Sequence, residues 1–122
     1  FDYRYADGKW TIKEIIQHII DTERIFAYRA LRISRNDQTP LPGFDENDFA
    51  NNTVAQTRGL QDLLTEFSAV RHSNLLLFKS FSNEQLLQVG IASEHSISVR
   101  AIGFILIGHQ KYHQKVFEER YL

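Results

Sequence analysis

His109 and His113 stand four residues apart, after the apolar run from Val99 to Ile107. On a helix that spacing is about one turn with roughly 40° of rotation, so both imidazoles can face one point in space, as two ligands of one metal ion do. A helical wheel places both with Ile102, Ile105, Leu106 and Val116 in the apolar stripe, where an imidazole needs a hydrogen-bond partner or a metal. The pair by itself fits satisfied core histidines as well as it fits ligands. A third ligand has to come from elsewhere, and His18 is the candidate, in the segment His18-Ile19-Ile20-Asp21-Thr22-Glu23. One histidine from one helix and two from a neighbour can occupy one face of a divalent ion and leave its remaining positions for water or substrate. Such an ion is a Lewis acid that makes water or a thiol nucleophilic near neutral pH.

Two carboxylates accompany His18. Glu14 lies one turn earlier and could orient the ring. Glu23 falls near the centre of the apolar face of its helix, where it either serves as a base beside the metal or is the buried partner of an arginine such as Arg24 or Arg29. His72 lies off the apolar stripe of its helix and His95 sits in a polar stretch, so both are expected to face solvent.

Spacing also excludes chemistries. The residue after His109 is Gln110, so the His-Glu-x-x-His pattern of a zincin is absent, and no repeated Glu-x-x-His pairs of the di-iron bundles occur. The chain has no cysteine, which removes thiolate ligands, disulfides and a cysteine nucleophile. There is no glycine-rich nucleotide loop and no defensible Ser-His-Asp ordering.

Helices must position these residues. Thr11 with Glu14 three positions later reads as a capping box, and Ile12, Ile15, Ile16, Ile19, Phe26, Ala27, Ala30 and Ile33 recur at helical spacing, so a first long helix is expected to run to about Ser34. Before it, Phe1 to Lys9 reads as an extended lead-in with a turn at Asp7-Gly8. Thr39-Pro40-Leu41-Pro42-Gly43-Phe44-Asp45 cannot be helical, and its apolar Leu41 and Phe44 predict a loop folded back over one end of the bundle, where it could line a pocket. A second long helix is expected from about Thr53 to Phe81, with Leu60, Leu63, Leu64, Phe67, Val70, Leu77 and Phe78 on one side and Asp62, Glu66, Arg71 and Lys79 largely on the other. Gly59 weakens its first turns. Ser82-Asn83-Glu84-Gln85 is a second capping box that starts a short helix, and a third long helix is expected from about Ser98 to Glu119. Strand signals are nearly absent, so the reading is an all-α bundle of three long helices and a short one.

Bulk properties narrow the setting. With 122 residues, 43% of them hydrophobic, one domain spanning residues 1–122 is expected. A formal charge of −1 with mixed signs offers no basic stripe for nucleic acid. No apolar run approaches the roughly 20 residues of a membrane span, so a soluble protein is expected, and the absence of cysteine fits a reducing cytoplasm. The chain begins at Phe1 rather than methionine, and is read as a piece of a longer protein.

The stretch Gly8-Lys9-Trp10-Thr11-Ile12-Lys13-Glu14-Ile15-Ile16-Gln17-His18 through Arg24, the Thr39-to-Asp45 loop and Gly108-His109 through His113 together resemble the DinB-like superfamily of metal-binding four-helix bundles. This family includes YfiT-type metal-dependent hydrolases and bacterial low-molecular-weight thiol S-transferases. The resemblance implies an up-and-down bundle, a divalent ion, often zinc or nickel, held by His18, His109 and His113, and a homodimer. It implies a hydrolase, or a transferase joining a small thiol to an electrophilic small molecule; a non-enzymatic metal-binding or stress-response module is the alternative. Family members carry another helix before the Gly-Lys-Trp turn, and here only a few residues precede it. If that helix is absent, an apolar face of the bundle is left for a partner chain to cover.

Overall fold

The structure is a computed structural model that describes residues 10–108. The expected lead-in from Phe1 to Lys9, the residues His109 and His113, and the continuation of the last helix to Glu119 lie outside the described residues.

Helix α1 spans Ile12–Ser34 and begins where the capping box requires. The Thr11 amide donates to Glu14 Oε1 at 2.9 Å, and the Glu14 amide donates to Thr11 Oγ1 at 3.2 Å. The helix stops because Asn36 adopts a left-handed φ of 62°, which turns the Asn36 and Asp37 amides back onto the carbonyls of Ile33 and Arg32. This is the Schellman closure, with asparagine in the position that glycine usually takes.

The chain then returns along α1. The loop 39–45 leads into the short helix α2, Glu46–Asn51, and a 3-10 turn, Ala55–Thr57. Gln56 Nε2 donates to Thr11 Oγ1 at 2.6 Å, so this connection ends at the N-terminus of α1. Helix α3, Leu60–Lys79, therefore sets out parallel to α1. Contacts from Arg58 to Gln17, then from Arg71 to Glu23, and the shared lining of Ala27 and Leu31 with Asn74 and Leu77 follow the two helices in that common direction. The connection adds a crossover to the expected bundle, and it shortens the expected second helix, which starts at Leu60 rather than near Thr53. Gly59 is the N-cap of α3 rather than a weak point inside it.

Helix α4, Asn83–Leu87, forms on the predicted Ser82 capping box. It is followed by a hairpin that the sequence reading did not foresee. Strands β1, Val89–Ala92, and β2, His95–Ser98, pair antiparallel with Ala92 opposite His95. Ser93 and Glu94 both have positive φ, 52° and 70°, the two-residue turn whose twist suits a hairpin. Gly90 is there for space, because a Cβ at that position would lie 2.6 Å from Ile33 Cγ1.

The last described helix, α5, covers residues 99–108. Ser98 Oγ caps it by accepting from the Ala101 amide at 3.0 Å. It starts beside the C-terminal end of α1, since the Val99 amide donates to Gln88 O and the neighbouring Gly90 abuts Ile33. By Gly103 to Ile107 it shares a cavity with Glu23, ten residues back along α1 from Ile33. Helix α5 thus runs antiparallel to α1.

Two buried clusters hold the elements together. Ala30 and Ile33 pack with Leu41, Phe81, Ala92, Val99, Ile102 and Leu106 at one end, and Ile16 and Ile20 with Leu63 and Val70 at the other. Leu41 is the apolar tooth predicted for the loop. It is 5% exposed, its amide donates to Ile91 O, and its carbonyl accepts from the Ser93 amide. Only Leu63 and Val70 of α3 are fully buried, while Leu64 is exposed at 42% on the side expected to face the core.

Candidate functional site

His18 sits on the buried side of α1, 7% exposed, with Ile15 and Ile19 beside it and Thr22 one turn later. Its ring packs tilted against Trp10, centroid to centroid 4.6 Å, and its Nδ1 faces Thr22 Oγ1 at a long 3.4 Å. Trp10 on one side and the Thr22 hydroxyl on the other hold the ring plane. That is the arrangement that fixes a histidine's tautomer and orientation in many metal sites. A Thr hydroxyl can donate to or accept from Nδ1, so the contact is compatible with a ring that ligates through Nε2.

His109 and His113, the other two candidate ligands, lie outside the described residues. Among the described residues no three His, Asp or Glu side chains converge as a metal site. His72 and His95 are both exposed, as expected, although His95 opens strand β2 instead of lying in a loop.

Glu23 is 2% exposed, and its carboxylate is fully engaged. Arg71 donates from Nε to Oε1 at 3.0 Å and Oε2 at 3.1 Å, and from Nη2 to Oε1 at 2.6 Å. Asn74 Nδ2 donates to Oε2 at 3.0 Å. Sequence reasoning put Glu23 on the core face but named Arg24 or Arg29 as its partner, and put Arg71 on the outer face of α3. Both assignments are corrected. Arg24 reaches Glu66 instead, at 2.9 Å, and Arg29 reaches the loop, while Arg71 turns inward across α3. The signal was available in principle: Arg71 and Asn74 are three apart, on one face of a helix. What the sequence withheld was which helix lies opposite.

Charge around α1 is organised in a chain. Gln17 Nε2 donates to Asp21 Oδ1, Gln17 Oε1 accepts from Arg58, and Arg58 donates in turn to Glu66 at 2.6 Å. Hydrogen bonds from Arg58 and Arg24 hold the Glu66 carboxyl below the usual range. Burial pushes Asp21 the other way, above its ordinary value, and the nearby Glu66 charge adds to that.

Between α1, α3 and α5 lies a cavity of about 120 Å³, with Glu23, Arg71 and Asn74 on its inner wall and Phe78, Leu106 and Ile107 among its apolar sides. No sequence pattern marks it.

A helical bundle with a crossover between two parallel helices, a buried histidine on the first and an antiparallel last helix is the class of protein seen here. The sequence matches the DinB superfamily over residues 1–117, and the chain belongs to that family. The fold is similar to the solved structure of YfiT from Bacillus subtilis, described as a probable metal-dependent hydrolase with an unusual four-helix bundle topology. The TM-score is 0.74 at 14% sequence identity, over 97% of this chain and 71% of that one. No curated protein matches the sequence.

Proposed function

We propose that this chain is a metal-dependent enzyme in which His18, His109 and His113 hold a divalent ion, zinc or nickel, and in which a water or a small thiol is the nucleophile. The observation that carries this reading is the antiparallel register of α1 and α5. Val99 enters at the level of Ile33, and Gly103 to Ile107 share a cavity with Glu23. His18 is five residues further along α1 in the same direction, about 7.5 Å of helical rise. Five residues beyond Leu106 is position 111, between the two histidines of the pair. If the helix keeps that register beyond residue 108, His109 and His113 would come level with His18, which is buried and whose Nδ1 faces the Thr22 hydroxyl.

The donor set fits a divalent borderline ion: three imidazole ligands, in a sequence with no cysteine to supply a thiolate. An ion held there supplies Lewis acidity, which makes water or a thiol nucleophilic near neutral pH. The chain's own contribution is orientation. Trp10 and Thr22 set the His18 ring, and the apolar residues Ile15 and Ile19 limit water around it. Glu23 is proposed as a structural wall of the site rather than its base, because Arg71 and Asn74 already engage both carboxylate oxygens.

Elemental analysis of protein purified without a histidine tag tests the reading, with His18→Ala and the double variant His109→Ala, His113→Ala alongside. About one equivalent of metal per chain in the parent and loss of it in both variants is the expected result. Equal metal content in all three would overturn it. Metal-dependent turnover of an ester panel then marks a hydrolase, and turnover of a thiol with a model electrophile marks a transferase.

A further inference from the structure

We propose that the cavity between α1, α3 and α5 is the binding subsite for a small, neutral, apolar group of the substrate, of about the size of a benzene ring or a short branched alkyl chain. The assignment to a substrate rests on the metal-enzyme reading above; the binding chemistry rests on the cavity itself.

Size sets the first limit. The cavity measures about 120 Å³, and a dry apolar cavity of roughly 150 Å³ accommodates benzene. Gly103 lets the Phe78 ring close one side of the cavity: a Cβ at that position would press on the ring at 3.0 Å. Phe78, Leu106 and Ile107 then present a continuous apolar lining.

Electrostatics set the second limit. Among the described residues the charged or polar side chains on the wall are Glu23, Arg71 and Asn74, and they satisfy one another through four hydrogen bonds. A ligand carboxylate would have to take Arg71 from a carboxylate that is 2% exposed, leaving Glu23 buried and uncompensated. A ligand ammonium would find Glu23 already neutralised. Neutral apolar groups face no such penalty, so the triad acts as a filter against charge.

Position sets the third limit. Glu23 is five residues along α1 from His18, about 7.5 Å of rise and roughly 140° of rotation, so a substrate reacting near His18 reaches the cavity only if it is long enough to follow α1 round to the face of Glu23. The mouth is framed by Leu75 and Ile107, which are 51% and 49% exposed, so the cavity opens outward rather than being sealed in the core.

The test uses benzene as probe and benzoate as its charged counterpart, with binding followed by NMR titration of the full chain, both zinc-loaded and stripped by chelator. Saturable one-to-one binding of benzene is expected in both forms, weakened about tenfold or more in Ile107→Trp, which fills the mouth, and for benzoate in the parent. Leu75→Trp is the second filling variant should the first not fold. Benzene that fails to saturate, that binds both filled variants as tightly as the parent, or that is matched by benzoate would overturn the proposal. Zinc uptake without benzene binding overturns the cavity proposal alone. Benzene binding by a chain that takes up no zinc overturns the metal reading and the assignment to a substrate.

Discussion

Glu23 and Arg71 meet at 2.6 Å across the α1–α3 interface, with the carboxylate 2% exposed and the side chain of the arginine 23% exposed. The pair sits at the level where α1 faces both other long helices, so it links the packing of the bundle to the wall of the cavity. A buried pair of this kind adds little net stability relative to an apolar replacement, yet removing one partner is expensive.

That asymmetry gives the first prediction. Arg71→Met leaves the Glu23 carboxylate with Asn74 alone and should cost about 3 kcal/mol in urea unfolding at neutral pH. The double variant Glu23→Leu, Arg71→Met should recover most of that loss. A double variant as unstable as the single one would show that the arginine contributes by packing and not by pairing.

A second prediction concerns the hairpin. Gly90 has no positive φ, so its substitution tests space alone. Gly90→Ala drives a Cβ to 2.6 Å from Ile33 Cγ1 and should destabilise by about 1–3 kcal/mol, the usual cost of overpacking. Adding Ile33→Val removes the δ-methyl and should recover part of the loss. No recovery, measured by thermal unfolding, would place the cost in the hairpin backbone instead.

The relation between these two positions shows how far the sequence could be read. Both capping boxes, the bounds of α1 and the inward Leu41 follow from local rules, because a cap or a proline acts within a few residues and needs no partner. The hairpin escapes a sequence reading because its strands are only four residues each, and because Ser-Glu is an unusual occupant of a turn that usually carries glycine or asparagine. The expected helix over residues 53–81 failed at its start for a related reason: Gly59 reads equally as a weak interior residue and as a cap. For the candidate site, burial of Glu23 is legible from periodicity, whereas His18 falls at the edge of the apolar stripe and its burial is not. Nor is the Arg71 partner, since it depends on a parallel crossover that periodicity cannot reveal.

Acid should act on this fold in two opposed ways. Asp37 is lowered to about 2, first by the Thr39 amide and then by Arg32, and Glu66 is lowered by Arg58 and Arg24. A carboxyl that is more acidic when folded adds stability above its unfolded value, and that contribution is lost as pH falls toward the folded one. For Asp37 the window runs from 3.8 down to about 2. Asp21 is raised by burial, so its ionisation opposes folding and its protonation relieves that. Unfolding midpoints across the acid range should therefore fall less steeply in Asp37→Asn than in the parent. Asp21→Asn should raise stability at neutral pH. A drop in stability at pH 7 for Asp21→Asn would show that its bond from Gln17 outweighs its desolvation.

The last prediction concerns Arg29, 6% exposed, whose positive charge is buried with no carboxylate beside it among the described residues. Its Nη2 donates to Pro42 O at 2.9 Å and Ser93 Oγ at 3.2 Å, and its guanidinium lies over the rings of Phe26 and Phe44. Burial lowers its pKa, so the charge is held at a cost that two neutral acceptors and two aromatic faces offset only in part. One side chain thereby fastens both the 39–45 loop and the hairpin turn to α1. Arg29→Met keeps the packing and removes the donor. Its global cost should be modest, about 1 kcal/mol, because the desolvation of the guanidinium is relieved as its hydrogen bonds are lost. Its local effect should be large: amide exchange at Phe44 and Ser93 should quicken while exchange at Ile20 and Leu63 stays at the parental rate. Uniform acceleration across all four positions would mean that Arg29 supports the whole bundle, and that the loop has no separate fastening.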